Sequence, residues 1–200
     1  MRKLQIKTMP LGSYQTNCYL VSLPEQKKCI LIDPGYEPEY VLEQVRRAGK
    51  TVEAILLTHG HFDHVGGVKK IAVEENCRVF ICKEDLALNP SITDGAIFYT
   101  DLYAEGDSLL LAGMELQVLQ TPGHTPGSVC LVCEDVIFTG DTLFAGTCGR
   151  TDFPGGDYGQ MMQSLKRLAN LPGDYRVLPG HAEESTMDRE RRSNPFMQSL

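Results

Sequence analysis

The chain holds five histidines, and most of them stand beside glycine, aspartate or proline, in loop contexts. Three fall in one six-residue run, His59-Gly60-His61-Phe62-Asp63-His64. The fourth lies in Thr121-Pro122-Gly123-His124-Thr125-Pro126-Gly127-Ser128, and the fifth ends Leu178-Pro179-Gly180-His181. Neutral imidazole is the commonest metal ligand, and histidines interleaved with a carboxylate suit zinc or iron better than magnesium or calcium. The spacing has a physical sense. An extended, then turning, loop can fan His59, His61 and His64 around one point while Asp63 adds an oxygen donor. Gly60, Gly66 and Gly67 let the backbone turn tightly and the next helix pack close. All five histidines therefore read as one metal centre.

The elements that must position these residues can be read from short β-branched runs bounded by Gly, Pro, Asp and Asn. Strands are expected at Cys18–Leu23, Lys28–Ile32, Ala54–Leu57, Arg78–Ile81, Ser108–Leu111, Glu115–Leu119, Val129–Val132, Val136–Phe138 and Val177–Leu178. Helical periodicity marks Glu37–Ala48, which ends at Gly49, then Val65–Asn76, and Gln160–Leu171, which stops before Pro172. A charged helix is expected over Glu183–Arg192. Strands in two batches with helices between them predict an α/β (α+β) fold, with a layered sheet-on-sheet core flanked by helices. In this reading His59, His124, Asp141 and His181 each follow a strand, where a rigid scaffold presents its loops.

The formal charge of −7 argues against nucleic acid or an anionic membrane as partner. Residues 1–17 show no apolar signal segment and no run approaches a membrane span, so a cytoplasmic protein is expected, its seven cysteines free thiols. Cys130 and Cys133 form a C-x-x-C within an expected strand, where residues three apart face opposite sides. They read as core rather than as a metal or redox pair.

The ordered set H-x-H-x-D-H, T-P-G-H-T-P-G-S, Gly140-Asp141-Thr142-Leu143-Phe144 and L-P-G-H resembles the metallo-β-lactamase superfamily over nearly the whole chain. Gly149-Arg150-Thr151-Asp152-Phe153-Pro154-Gly155-Gly156 and Asn194-Pro195-Phe196 are similar to the glyoxalase II (hydroxyacylglutathione hydrolase) branch, in its short bacterial form. The resemblance implies a four-layer αβ/βα sandwich spanning 1–200 as one domain, without the C-terminal helical domain that binds glutathione in full-length members. It implies two divalent metal ions, zinc first, with iron or manganese also accommodated. His59, His61 and His124 would hold one ion, Asp63, His64 and His181 the other, and Asp141 would bridge them. Cys commonly replaces that Asp in secreted lactamases, so an antibiotic-degrading role is not expected.

The chemistry implied is hydrolysis of a small thioester, such as S-lactoylglutathione, by a hydroxide shared between two metals, with Asp63 positioning it and shuttling its proton. The alternatives are a mononuclear iron persulfide dioxygenase, which would use His59, His124 and Asp141, and a lactonase or other ester hydrolase. Arg150 stands where full-length relatives carry a substrate-contacting Lys. It could grip a carboxylate or acyl oxygen, or it could pair with Asp152 or Asp157 to hold its loop. Asn17 is expected to serve a structural turn. The Leu86–Tyr103 segment, with Ile97, Phe98, Tyr99 and Tyr103, could wall the pocket or cover core. The run Arg189-Glu190-Arg191-Arg192 reads as a solvated helix face.

Overall fold

In the computed structural model, which describes residues 3–199, strands β1 (Gln5–Leu11), β2 (Thr16–Ser22) and β3 (Lys28–Ile32) form an antiparallel meander. Helix α1 (Pro38–Arg47) crosses over to β4 (Thr51–Leu56). Helices α2 (Phe62–Val65) and α3 (Val68–Glu75) cross to β5 (Arg78–Cys82). A 3₁₀ turn, Lys83–Ala87, and α4 (Pro90–Thr93) lead to β6 (Asp101–Tyr103), which closes this sheet in the order β1-β2-β3-β4-β5-β6. The second half begins with β7 (Ser108–Leu111), β8 (Met114–Gln120), β9 (Val129–Cys133) and β10 (Val136–Gly140). The ribbon β11 (Leu143–Phe144) and β12 (Thr147–Cys148), helix α5 (Tyr158–Ala169) and β13 (Arg176–Pro179) follow. The described chain closes with β14 (Ser185–Thr186), α6 (Met187–Ser193) and α7 (Pro195–Gln198). The second sheet runs β14-β13-β10-β9-β8-β7.

Side-chain alternation divides the interior into three cores. Ile30 and Ile32 of β3 meet Leu116, Val118, Leu131 and Phe138 of the second sheet, while Cys29 and Leu31 turn to Val41, Val45 and Ile71 of α1 and α3. On the far side, Cys130 and Ile137 pack on Met161, Leu165 and Leu168 of α5. The order is helix, sheet, sheet, helix, the four-layer sandwich. Cys133 lies in the central core and Cys130 in the α5 core, so the C-x-x-C does face both ways.

The sequence reading placed most strands within two residues, the edge strand β7 among them, and missed the other edges, β1, β6 and β14. β1 is largely exposed and carries Pro10, tolerable on an outer strand, and so offers little alternation to read. The expected helix over Val65–Asn76 is two helices, broken at Gly66 and Gly67. α1 ends as expected, with Gly49 at a left-handed φ of 68°. The final charged run is only partly a solvated face. Glu190 is buried and accepts from the Gly146 amide and Asn194 Nδ2, and the Arg191 guanidinium caps carbonyls at the end of α5, including Ala169.

Candidate metal centre

All seven candidate donors lie beyond the carboxyl ends of strands running in one direction. β3, β4 and β5 are parallel neighbours, β10 and β13 are parallel, and two antiparallel steps bring β8 back to the direction of β10. Ligands in α/β sheets gather at such ends. The two sheets are tied together at this end. The Val129 amide donates to Thr58 O at 2.9 Å and the Asn17 amide to Gly180 O at 2.7 Å. Asn17 Nδ2 donates to Pro179 O and Ala182 O, and Tyr19 Oη donates to Pro179 O. Asn17 thus holds the loop of His181 from across the sandwich, a structural role on a strand rather than in a turn.

The loops bring three overlapping sets of donors together: His59, His61 and His124; His59, His64 and Asp141; and Asp63, His64 and His181, with the donor atoms of each set within 4.8 Å of one another. Asp141 lies between the groups, its carboxylate 3.4 Å from His124 Nε2 and 3.6 Å from both His64 Nε2 and His181 Nε2. Asp63 Oδ2 is 3.3 Å from His181 Nε2 and accepts from Thr16 Oγ1 at 2.9 Å. Donors held about 2.0–2.1 Å from one tetrahedral centre stand roughly 3.3–3.4 Å apart, close to these separations.

Hydrogen bonds fix which nitrogen of four rings faces inward. Thr58 Oγ1 has one proton, given to Asp33 Oδ2 at 2.6 Å, so it accepts from His59 Nδ1 at 3.1 Å. His64 Nδ1 donates to Asp33 Oδ2 at 2.9 Å, His124 Nδ1 to Arg150 O at 2.7 Å and His181 Nδ1 to Tyr14 O at 3.2 Å. Each bond engages Nδ1 and leaves Nε2 to face the other donors, unpartnered in His59 and His64, 2.9 Å from His61 Nδ1 in His124 and 3.3 Å from Asp63 Oδ2 in His181, the arrangement that outer-shell oxygens impose on metal-binding histidines. Among the described residues, His59 Nε2, His61 Nε2, His64 Nε2 and Asp141 Oδ1 are buried with no hydrogen-bond partner. Buried polar atoms are rarely left so, and three of these residues, His59, His64 and Asp141, form one of the donor sets, which fits a metal centre. Burial, then the neighbouring histidines, push the His59 ring far below its ordinary pKa and His61 to about 4, which leaves their lone pairs free. At His64 burial works in the same direction, but Asp33 and Asp141 outweigh it and raise the ring to about 9. A field that favours a proton there favours a metal cation too.

The sequence reading missed Asp33, which orients His64, and Asp85, which no motif flagged. Asp85 is fully buried; Oδ2 accepts from the Gly60 amide at 2.7 Å and Thr125 Oγ1 at 2.9 Å, and Oδ1 from the Gly127 amide at 2.6 Å. It clasps the loop of His59 and His61 to that of His124. For Asp33 the available signal was an acid directly after a strand end, whereas Asp85 stands three residues past β5 beside Glu84 and gave none. Arg150, whose carbonyl holds His124, lines the cavity beside the donors with its guanidinium exposed, paired through Nε and Nη2 with Asp152 at 2.6–2.7 Å and 3.9 Å over the Phe153 ring. Asp157 instead caps α5 through the Gln160 amide. From the Leu86–Tyr103 segment, Ile92 lines the cavity above the donors. Ile97 and Phe98 pack on the core beneath, and Tyr103 Oη donates to Leu57 O.

Residues 11–181 match the profile of the Metallo-beta-lactamase superfamily, and the chain belongs to that superfamily, whose members are metal-binding hydrolases in the main. Its relatives include the "Hydroxyacylglutathione hydrolase GloC" of Haemophilus influenzae, 35% identical over 98% of this chain and 99% of that one. The crystal structure of TTHA1623 in a di-iron-bound form is 40% identical, with a TM-score of 0.85 over 95% of this chain and 99% of that one. The crystal structure of BLEG-1 B3 metallo-beta-lactamase is 35% identical, with a TM-score of 0.88 over 96% and 99%.

Proposed function

We propose that this chain is a dinuclear metal-dependent hydrolase of small thioesters. The observation that carries it is the second complete donor group, Asp63, His64 and His181, adjoining the first and joined to it by Asp141. The donor residues do not exclude a mononuclear iron dioxygenase, and the likeness to the crystal structure of ETHE1 from Myxococcus xanthus, 28% identical with a TM-score of 0.84 over 96% of this chain, favours that second reading. His59, His61 and His124 would hold one ion and Asp63, His64 and His181 the other. Two such ions supply Lewis acidity, which lowers the pKa of water and polarises a carbonyl. The relative named a hydroxyacylglutathione hydrolase supports the thioester. The di-iron likeness supports occupancy by two ions without deciding between zinc and iron here.

The protein's own groups contribute orientation and proton handling. Asp63 is buried, yet hydrogen bonding to His181, the field of His64 and the Thr16 hydroxyl hold its carboxyl well below the usual range. It stays ionised at neutral pH and can accept a proton from water at the site. A thiolate leaves readily, which suits a centre that offers no strong general acid. Seven free cysteines accord with a cytoplasmic setting.

The test couples elemental analysis of untagged protein, purified without chelator, to hydrolysis of S-lactoylglutathione and of a β-lactam. About two ions per chain with thioester turnover bears the proposal out. One iron with oxygen uptake on glutathione persulfide transfers the chain to the dioxygenase reading. β-Lactam turnover alone moves it to the reading that BLEG-1 suggests.

A further inference from the structure

Five of the candidate donors, His61, Asp63, His124, Asp141 and His181, line a cavity of about 470 Å³ whose walls are largely hydrocarbon. That size admits a small organic substrate. The walls stand directly against the ligand rings. Phe153 packs edge-on to His61 with centroids 5.8 Å apart, and Phe144 packs edge-on to His181 at 6.2 Å. Phe62 lies inside the histidine run and packs edge-on to Tyr14 at 5.4 Å, and Ile92 completes the apolar lining. A carbonyl held over the donors therefore has a phenyl ring to either side. Of the lining residues that are not candidate metal donors, only Arg150 carries charge, and the Nε and Nη2 edge of its guanidinium is already bound to Asp152. A carboxylate arriving there meets the Asp152 charge beside the Arg150 charge.

We infer that this site selects its substrate by an uncharged, apolar acyl group of about phenyl size, and that the thiol carrier is recognised little. The inference rests on the hydrolase reading for the reaction, and on the cavity walls alone for the selectivity. S-lactoylglutathione is then a usable substrate and not a preferred one. Burying a phenyl ring that a methyl leaves unfilled corresponds to a gain of roughly tenfold to a hundredfold.

The experiment uses metal-loaded protein and two readouts. In turnover, acetyl, lactoyl and phenylacetyl thioesters are compared on N-acetylcysteamine and on glutathione. We expect kcat/KM for phenylacetyl to exceed acetyl by at least tenfold on either thiol, with the two thiols within about threefold for a given acyl group. Phe153→Ala should collapse the phenylacetyl-to-acetyl ratio at unchanged metal content. In binding, calorimetry compares the unhydrolysable S-phenacyl and S-acetonyl thioethers of the same two thiols, with the phenacyl compounds tighter by a similar factor. Equal rates across the acyl series, or a glutathione preference above tenfold whatever the acyl group, overturns the inference. Selective phenacyl binding with no thioester hydrolysed overturns the hydrolase reading and leaves the apolar selectivity standing.

Discussion

The Gly60 amide donates to Asp85 Oδ2 at 2.7 Å, so the middle of the histidine run hangs on a carboxylate from a different strand end. The other oxygen of Asp85 holds Gly127, three residues beyond His124. Asp85→Asn keeps the shape and turns one acceptor into a donor facing an N–H. A buried donor left unsatisfied costs about 1–3 kcal/mol, which lowers Tm by roughly 2–12 °C in a chain of this size. Metal retention should fall roughly 10–100-fold, as for other outer-shell substitutions, with the His59, His61 and His124 group affected first. Differential scanning calorimetry of the metal-free protein and elemental analysis after dialysis measure the two effects. Wild-type values in both would remove Asp85 from this role.

Gly35 makes a comparable case by contact alone. A Cβ there would stand 1.5 Å from the Asp63 carbonyl oxygen, with backbone on both sides and no side chain free to yield. Gly35→Ala must force the loop after β3 away from α2, which carries Asp63 and His64. Overpacking of this kind costs about 1–3 kcal/mol or more. We expect a lower Tm together with weaker metal binding at the Asp63, His64 and His181 group, read by calorimetry and metal titration. An unchanged metal isotherm would show that the loop yields without moving the donors.

These two residues mark the limit of what the sequence makes legible. His59, His61, His64 and Asp63 announce themselves because four donors share one short run, and the central strands because they alternate or are uniformly apolar. Asp85 and Gly35 act through neighbours 25 and 28 positions away, Gly60 and Asp63, and no local pattern encodes such a pairing. β1 was invisible for a related reason: an exposed outer strand is defined by its partner β2 more than by its own residues. Arg150 was legible as a candidate with Asp152 or Asp157 as its partner, and the choice of Asp152, two residues on, depends on the turn between them.

Metal removal should be strongly destabilising, because His59, His61 and His64 then keep buried nitrogens without partners. A ligand present at 1,000 times its Kd stabilises the native state by about 4.1 kcal/mol. For a domain of this size that is roughly 8–16 °C of Tm. Thermal unfolding with and without a chelator measures the difference. A shift under about 2 °C would mean that the donors are satisfied without an ion.

Asp63→Ala separates metal holding from the fold. Its carboxylate faces His181 and His64 and is held by Thr16. We expect metal content to fall from about two ions per chain towards about one, with most turnover lost and Tm of the metal-free protein little changed. Retained turnover at full metal content would sink the assignment of Asp63 as ligand and proton acceptor.

Cysteine chemistry reports on the cavity without touching a donor. Five thiols are buried, and burial pushes Cys130 and Cys133 up to about 12. Cys148 lines the cavity and is only half-buried; Cys77 is similarly placed on the far side of the first sheet, its thiol raised by burial to about 11. Burial also raises Cys148 above its ordinary value. Its thiolate fraction, and so its alkylation rate, should climb about tenfold per pH unit through pH 9 with no plateau. Iodoacetamide at pH 8 should therefore mark Cys148 and Cys77 slowly and spare the rest, read by peptide mass spectrometry. An S-phenacyl thioether seated in the cavity should protect Cys148 and leave Cys77 as reactive as before, and equal labelling of both with the thioether bound would place the ligand elsewhere.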